Sequence, residues 1–251
     1  MAIRTRQYRG WEDFEAVGQF LVRHYQPENR DGNWFQPTWE YMHSHPMLDE
    51  SKLDRIRIWE DDGEIVAVVN YESTLGEAFV HVASGYDALK PEMLAYAEEN
   101  LAGTEDDGTR YLQVFVNDFD MAFEALVQEK GYVKQDWGRP VARFTIPDPF
   151  PEITLPEGFR LTSLAEEHDL YKVNRVLWRG FNHEGPAPET DEDIADRRKM
   201  ESVPNYRREL KIAVVAPDGE FVSFCGMWHE TTNHLAYVEP VATDPDYRRI
   251  G

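Results

Sequence analysis

The residues best suited to chemistry lie together at the end of the chain. The stretch Val241-Ala242-Thr243-Asp244-Pro245-Asp246-Tyr247-Arg248-Arg249-Ile250-Gly251 reads as a strand end, a Thr-Asp-Pro turn, then Arg-x-x-Gly opening a helix. Backbone N–H groups at a helix N-terminus point at an anion, and the helix dipole favours negative charge. Glycine lets the main chain approach phosphate closely. Arg248 and Arg249 add fixed positive charge, so the spacing predicts an anion cradle. Other reactive types are poorly placed. Cys225, the single cysteine, sits in the apolar run Phe221-Val222-Ser223-Phe224-Cys225-Gly226. It reads as a buried strand thiol, with no base beside it to make a nucleophile. His43 and His45 lie in the aromatic stretch Trp34 to Pro46, which reads as packing surface or ligand pocket. Neither a cysteine nor a second histidine pair completes a metal site there, so no metal is expected.

The elements that must hold this cradle are repeated. Ile3-Arg4-Thr5-Arg6 opens a helical stretch from Trp11 to Tyr25, and Phe159-Arg160-Leu161-Thr162 opens another from Glu166 to Phe181. At the same spacing, the turn Asp62-Gly63-Glu64 recurs as Asp218-Gly219-Glu220. An Asp-Gly turn between two apolar runs signals a hairpin. The runs are Arg55–Trp59 and Ile65–Val69 in the first half, Leu210–Val215 and Phe221–Phe224 in the second. A third strand follows in each half, Glu77–Val82 and Leu235–Val241. Four elements in one order point to duplication. The first half continues with a helix from Leu89 to Leu101, a strand Tyr111–Val116, a helix Met121–Lys130 ending at Gly131, and one or two closing strands in Val133–Ile146. Pro147, Pro149, Pro151 and Pro156 then mark a stiff linker. These patterns predict a mixed α/β fold of the α+β type. Its tandem domains span 1–148 and 158–251, joined by a linker at 149–157.

The chain has 251 residues, 41% of them hydrophobic and 13% aromatic, enough for packed cores. No apolar run reaches the length of a membrane span, and the N-terminus lacks a secretory pattern. With one cysteine, the expected setting is cytoplasmic. The formal net charge is −21. So acidic a chain repels nucleic acid and anionic membrane, and suits a cationic partner such as an amine.

The Arg248-Arg249-Ile250-Gly251 stretch, following a strand, resembles the pyrophosphate-binding motif of the GNAT acetyltransferases, Arg/Gln-x-x-Gly-x-Gly/Ala. In the first half, Asn117, Ala122 and Glu129-Lys130-Gly131-Tyr132 resemble the family's second signature. The resemblance implies acetyl transfer from acetyl-CoA, as co-substrate, to a primary amine of a small molecule. It implies that Val241, Ala242 and Thr243 hold the pantetheine arm, and that Arg248, Arg249 and Gly251 hold the pyrophosphate. An amine is mostly protonated at neutral pH, so a base must take its proton. Glu239 is the candidate base, and Tyr237, two residues earlier, shares its face. The loop Phe181–Pro188 is a candidate acceptor loop, with an ordinary surface loop as the other reading.

The first half departs from the motif. Its third strand runs into Ala83-Ser84-Gly85-Tyr86-Asp87, with a carboxylate where phosphate would sit, so the resemblance implies a fold kept without the usual coenzyme site. In the second half the motif's last two positions fall past Gly251. The second domain is therefore expected to be cut short inside that motif, and the chain alone to bind acetyl-CoA only weakly and to be inactive. An inactive binding or scaffold protein is the alternative reading, and a homodimer that completes the second lobe by swapping is a third.

Overall fold

A computed structural model describes residues 3–250. The chain divides into two compact units, one made of Met1–Met42 and Met47–Phe144, the other of His43–Pro46 and Thr145–Gly251.

The first unit opens with β1 (Arg4–Gln7) and α1 (Trp11–His24). Phe14, Val17, Phe20 and Leu21 recur at helical spacing and are buried, so α1 lays one apolar stripe on the sheet. Next come α2 (Gln36–Ser44), β2 (Arg57–Asp61), β3 (Glu64–Asn70), β4 (Glu77–Val82) and α3 (Lys90–Asn100). A small hairpin of β5 (Gly103–Thr104) and β6 (Arg110–Tyr111) precedes β7 (Gln113–Phe115) and α4 (Met121–Glu129). The five-stranded sheet has the order β1-β2-β3-β4-β7, antiparallel except for the parallel pair β4–β7. Strand β3 is buried from Ile65 to Asn70, as a central strand covered on both faces should be.

The second unit contains β8 (Arg160–Ser163), α5 (Leu170–Gly180), α6 (Asp191–Met200), β9 (Lys211–Val215), β10 (Phe221–Glu230) and β11 (Leu235–Thr243). Its sheet is wholly antiparallel in the order β11-β10-β9-β8. Val173, Val176 and Leu177 of α5 pack on Ala213, Val215, Phe221, Phe224 and Ala242 of the sheet. Helix α5 starts at Leu170, later than the sequence reading. Asp169 caps it there, its side chain accepting from the Tyr171 and Lys172 N–H groups.

The two Asp-Gly hairpins form as expected but turn differently. In the first, Asp62 and Gly63 both have positive φ and alone link the paired Asp61 and Glu64. That is the backbone a two-residue primed turn demands. In the second, the loop spans Ala216 to Glu220, and the Gly219 N–H donates to the Ala216 carbonyl. Two expectations fail in the first unit. The strand foreseen over Tyr111–Val116 is broken between β6 and β7. The closing strands foreseen in Val133–Ile146 do not form. Residues 133–154 are exposed, including Val133, Trp137, Val141, Phe144 and Ile146. Their sequence has strand character, but a strand exists only when an edge supplies partners, and Pro140, Pro147, Pro149 and Pro151 remove donors.

Candidate functional site

In the second unit the site residues gather on β11, the edge strand of its sheet. An edge strand leaves a row of N–H and C=O groups without ladder partners, the feature a ligand with peptide-like amides can use. The strand is not regular. Cys225 pairs with Val241 and Met227 with Val238, so Gly226 alone opposes Glu239 and Pro240. This is a β-bulge, which bends a strand and re-aims its side chains. Before it, Tyr237 and Glu239 are the half-buried positions; after it, Pro240 and Ala242 are the buried ones. The alternation has moved from odd to even residues across the bulge. The Trp228 indole N–H pins the bulge by donating to the Glu239 carbonyl at 2.9 Å. Gly226 is required there, since a Cβ at that position would run into the same carbonyl. Tyr237 lies directly across from Trp228.

Past the bulge, Ala242 and Thr243 are clamped from two sides. The Ser223 hydroxyl meets the Thr243 hydroxyl at 2.9 Å and the Ala242 carbonyl at 3.2 Å. The last residue of α5, Gly180, presses on the same segment, and a Cβ on it would come within 2.6 Å of the Ala242 Cβ. Asp244 then ends the strand. Its carboxylate is buried, caps the turn by accepting from the Asp246 N–H, and takes both the Nε and an Nη of Arg179. Burial alone would raise that carboxyl, but the Arg179 and Asp246 hydrogen bonds outweigh it and hold it below the usual range. Arg179 also pairs with the exposed Asp246 at 2.7 Å.

The predicted cradle residues separate. Arg248 folds back, donating to the Thr243 carbonyl at 3.1 Å, the Gly180 carbonyl at 2.8 Å and the Asn182 side chain at 3.1 Å. Its charge therefore sits at the C-terminal end of α5, where a cation complements the helix dipole. Arg249 is exposed with positive φ. The helix expected to open at Arg248 does not begin among the described residues, where a short 3-10 turn, Pro245–Tyr247, leads into extended backbone at Arg248. Gly251 lies outside the described residues. Cys225 is half-buried in β10 rather than fully buried, and burial pushes its thiol up, away from nucleophilic use. The loop Phe181–Pro188 is mainly exposed, with His183 stacked on Trp178 at 4.5 Å and the Trp178 indole donating to the Gly185 carbonyl. Among the described residues no group of three His, Cys, Asp or Glu is placed to hold a metal. No helix there is long and apolar enough to cross a membrane.

The first unit treats the equivalent strand differently. β4 pairs with β7 only from Glu77 to Phe79, leaving Val80–Val82 beyond the parallel pair. The last residue of that stretch, Val82, is taken by the chain's own Asn33. The Asn33 side chain accepts from the Val82 N–H at 2.8 Å and donates to the Val82 carbonyl at 3.2 Å, so an amide stands in for a strand. Asn117, just past β7, holds the same loop by donating to the Gly32 carbonyl. Past β4, Asp87 and Asp120 both close on Lys90 at 2.6 Å, so carboxylates take up the cation there.

Sequence reasoning missed Asn33, Gly180, Gly226 and the Arg179–Asp244 pair. Only Gly226 carried a signal, as a glycine inside a strand pattern, which marks a bulge or a close approach.

This order of strands and helices has counterparts among solved structures. A GCN5-related N-acetyltransferase from Sphaerobacter thermophilus superposes with a TM-score of 0.55 at 16% identity, over 98% of this chain and 78% of that one. A tandem GNAT protein from the clavulanic acid biosynthesis pathway superposes with a TM-score of 0.54 at 11% identity, over 99% of this chain and 81% of that one. The chain has the GNAT fold. The tandem match runs through both units, in keeping with the repeat in the sequence. No family model and no curated protein matches the sequence. At these identities the likeness speaks for the fold and not for an activity.

Proposed function

We propose that the second unit is an acyltransferase unit that moves an acetyl group from acetyl-CoA to a primary amine of a small molecule, and that the first unit, 1–148, keeps the fold without the coenzyme site. The bulge at Glu239–Pro240 supports this reading best. It sets a carboxylate beside a stretch of edge strand, Val241–Thr243, whose backbone suits the amides of a pantetheine arm. In this reading those residues hold the arm, and the exposed Arg249, with Arg248 once released from the Thr243 and Gly180 carbonyls and from Asn182, and with Gly251, meets the pyrophosphate. Glu239 takes the proton from the ammonium of the acceptor, directly or through water, and the free amine attacks the thioester carbonyl. Tyr237, two residues before it, shapes the acceptor side.

The contrast with β4 supports the assignment to one unit. There Asn33 takes the main-chain groups of Val82, and Asp87 and Asp120 stand where phosphate would be repelled. The net charge of −21 favours a cationic acceptor over an anionic one. Hydrogen exchange in the presence of acetyl-CoA tests the proposal. Protection is expected at Val241, Ala242 and Thr243, with modest affinity and no change at Val80–Val82. Protection at β4, or none at β11 under saturating acetyl-CoA, would refute it.

A further inference from the structure

On the first unit, two neighbouring strands present a stacked pair of rings. Phe79 of β4 lies in register with Phe115 of β7, their centroids 4.3 Å apart and 7° from parallel. Trp34 packs against Phe79 at 4.6 Å, and Trp137 meets Phe115 edge-on at 6.1 Å. Glu72 brings a carboxylate to the edge of this group, its side chain 18% exposed. Phe79, Phe115 and Glu72, with Trp34 packed behind Phe79, form a cage whose chemistry selects a cation, and Trp137 covers it from the same segment as Arg139.

The cage is filled from within. The Arg139 guanidinium lies 5.5 Å over Phe79 and 5.6 Å over Phe115. It grips Glu72 through both Nη atoms, with Nη2 to Oε1 at 2.9 Å. A planar fork that stacks on rings and takes a carboxylate bidentately is a guanidinium property, which an ammonium does not share. The segment that delivers Arg139 is held by side chains, Lys134 on Glu124, Trp137 on Phe115 and Arg139 on Glu72, and not by a helix or a strand ladder. Residues 133–154 are exposed and belong to no helix or strand, with Val141 65% and Phe144 79% exposed. Such a segment opens at low cost, and the acidity of the chain raises the local concentration of cations.

We propose that this cage is a recognition site for a small guanidinium ligand, which enters by displacing Arg139. Calorimetry on the full chain with agmatine as probe tests it. Arg139→Ala should bind agmatine about tenfold tighter than wild type, because the competing side chain is gone. Adding Glu72→Gln should abolish that gain, and n-butylamine should bind more weakly than agmatine. In the wild type, saturating agmatine should speed proteolysis between Val141 and Ile146, as the released segment opens. This arm needs no variant and stands if Arg139→Ala folds poorly. The proposal is overturned if wild-type proteolysis does not respond to agmatine. It is equally overturned if folded Arg139→Ala binds agmatine no tighter than wild type, or if Glu72→Gln leaves the gain intact.

Discussion

Gly180→Ala probes how closely α5 must approach the strand we assign to the coenzyme. The added Cβ would lie 2.6 Å from the Ala242 Cβ and 3.1 Å from the Thr243 nitrogen. Carbon atoms rest about 3.5–4 Å apart, so helix end and strand must part by roughly an ångström. Two effects oppose each other. Alanine gains up to about 1 kcal/mol over glycine in a helix, and less in its last turn. Overpacking costs about 1–3 kcal/mol when the neighbour cannot yield. Here the neighbour is main chain, held by the Phe224–Ala242 pairing and by the Asp244 N–H on the Val222 carbonyl. We expect a net loss of about 1–2 kcal/mol in the second unit. Ala242→Gly removes the nearest atom, so the double variant should lose less than the sum of the two single variants, a coupling of about 1 kcal/mol. Hydrogen exchange of the β10 and β11 amides is the assay, because it reads local opening without requiring both units to unfold in one step. Unchanged or slower exchange in Gly180→Ala would show that helix propensity wins and the close approach carries no strain. A double-variant loss equal to the sum of the two single losses would remove the contact as the cause.

Gly226→Ala should destabilise the second unit by about 1–3 kcal/mol, because its Cβ meets the Glu239 carbonyl inside the bulge; urea denaturation and β11 exchange rates check it. In a version of the second unit that carries the complete motif, Glu239→Gln should lower acetyl transfer to a primary amine about 10²–10⁴-fold while leaving acetyl-CoA protection of Val241–Thr243 intact; thiol release and exchange measurements separate the two effects. Stability of the first unit should fall with acid through His81, which is buried and whose imidazolium burial disfavours, from the ordinary 6.5 to about 3. A depressed folded value gives stability that is complete above pH 6.5 and is lost as pH drops toward 3, at up to about 1.4 kcal/mol per unit. Denaturation at pH 7, 5 and 4 against His81→Gln checks this, and a wild-type slope equal to the variant's would contradict it.

Much of the architecture was legible because it is local. Periodicity placed α1, α3 and α4, the Asp-Gly pairs placed both hairpins, and Gly131 marked the end of α4 with its positive φ. The candidate strand was legible too, since Tyr237, Glu239 and Val241–Thr243 do lie on β11. What the residues do there was not. The bulge depends on Gly226 facing two residues of another strand, the Arg248 charge depends on carbonyls at the end of α5, and the filling of β4 depends on Asn33, far away in sequence. Val133–Ile146 shows the same limit from the other side. Val133, Trp137, Val141, Phe144 and Ile146 give it strand character, but Gly138 and Pro140 interrupt it, and it does not pair although β7 ends the sheet. The sequence by itself determined α1, α3, α4, the two hairpins and the candidate strand, because those follow from nearest neighbours along the chain, whereas α2 and α6 went unforeseen. The tertiary structure decided which main-chain groups stay open to a ligand, because that depends on which distant side chains reach them first.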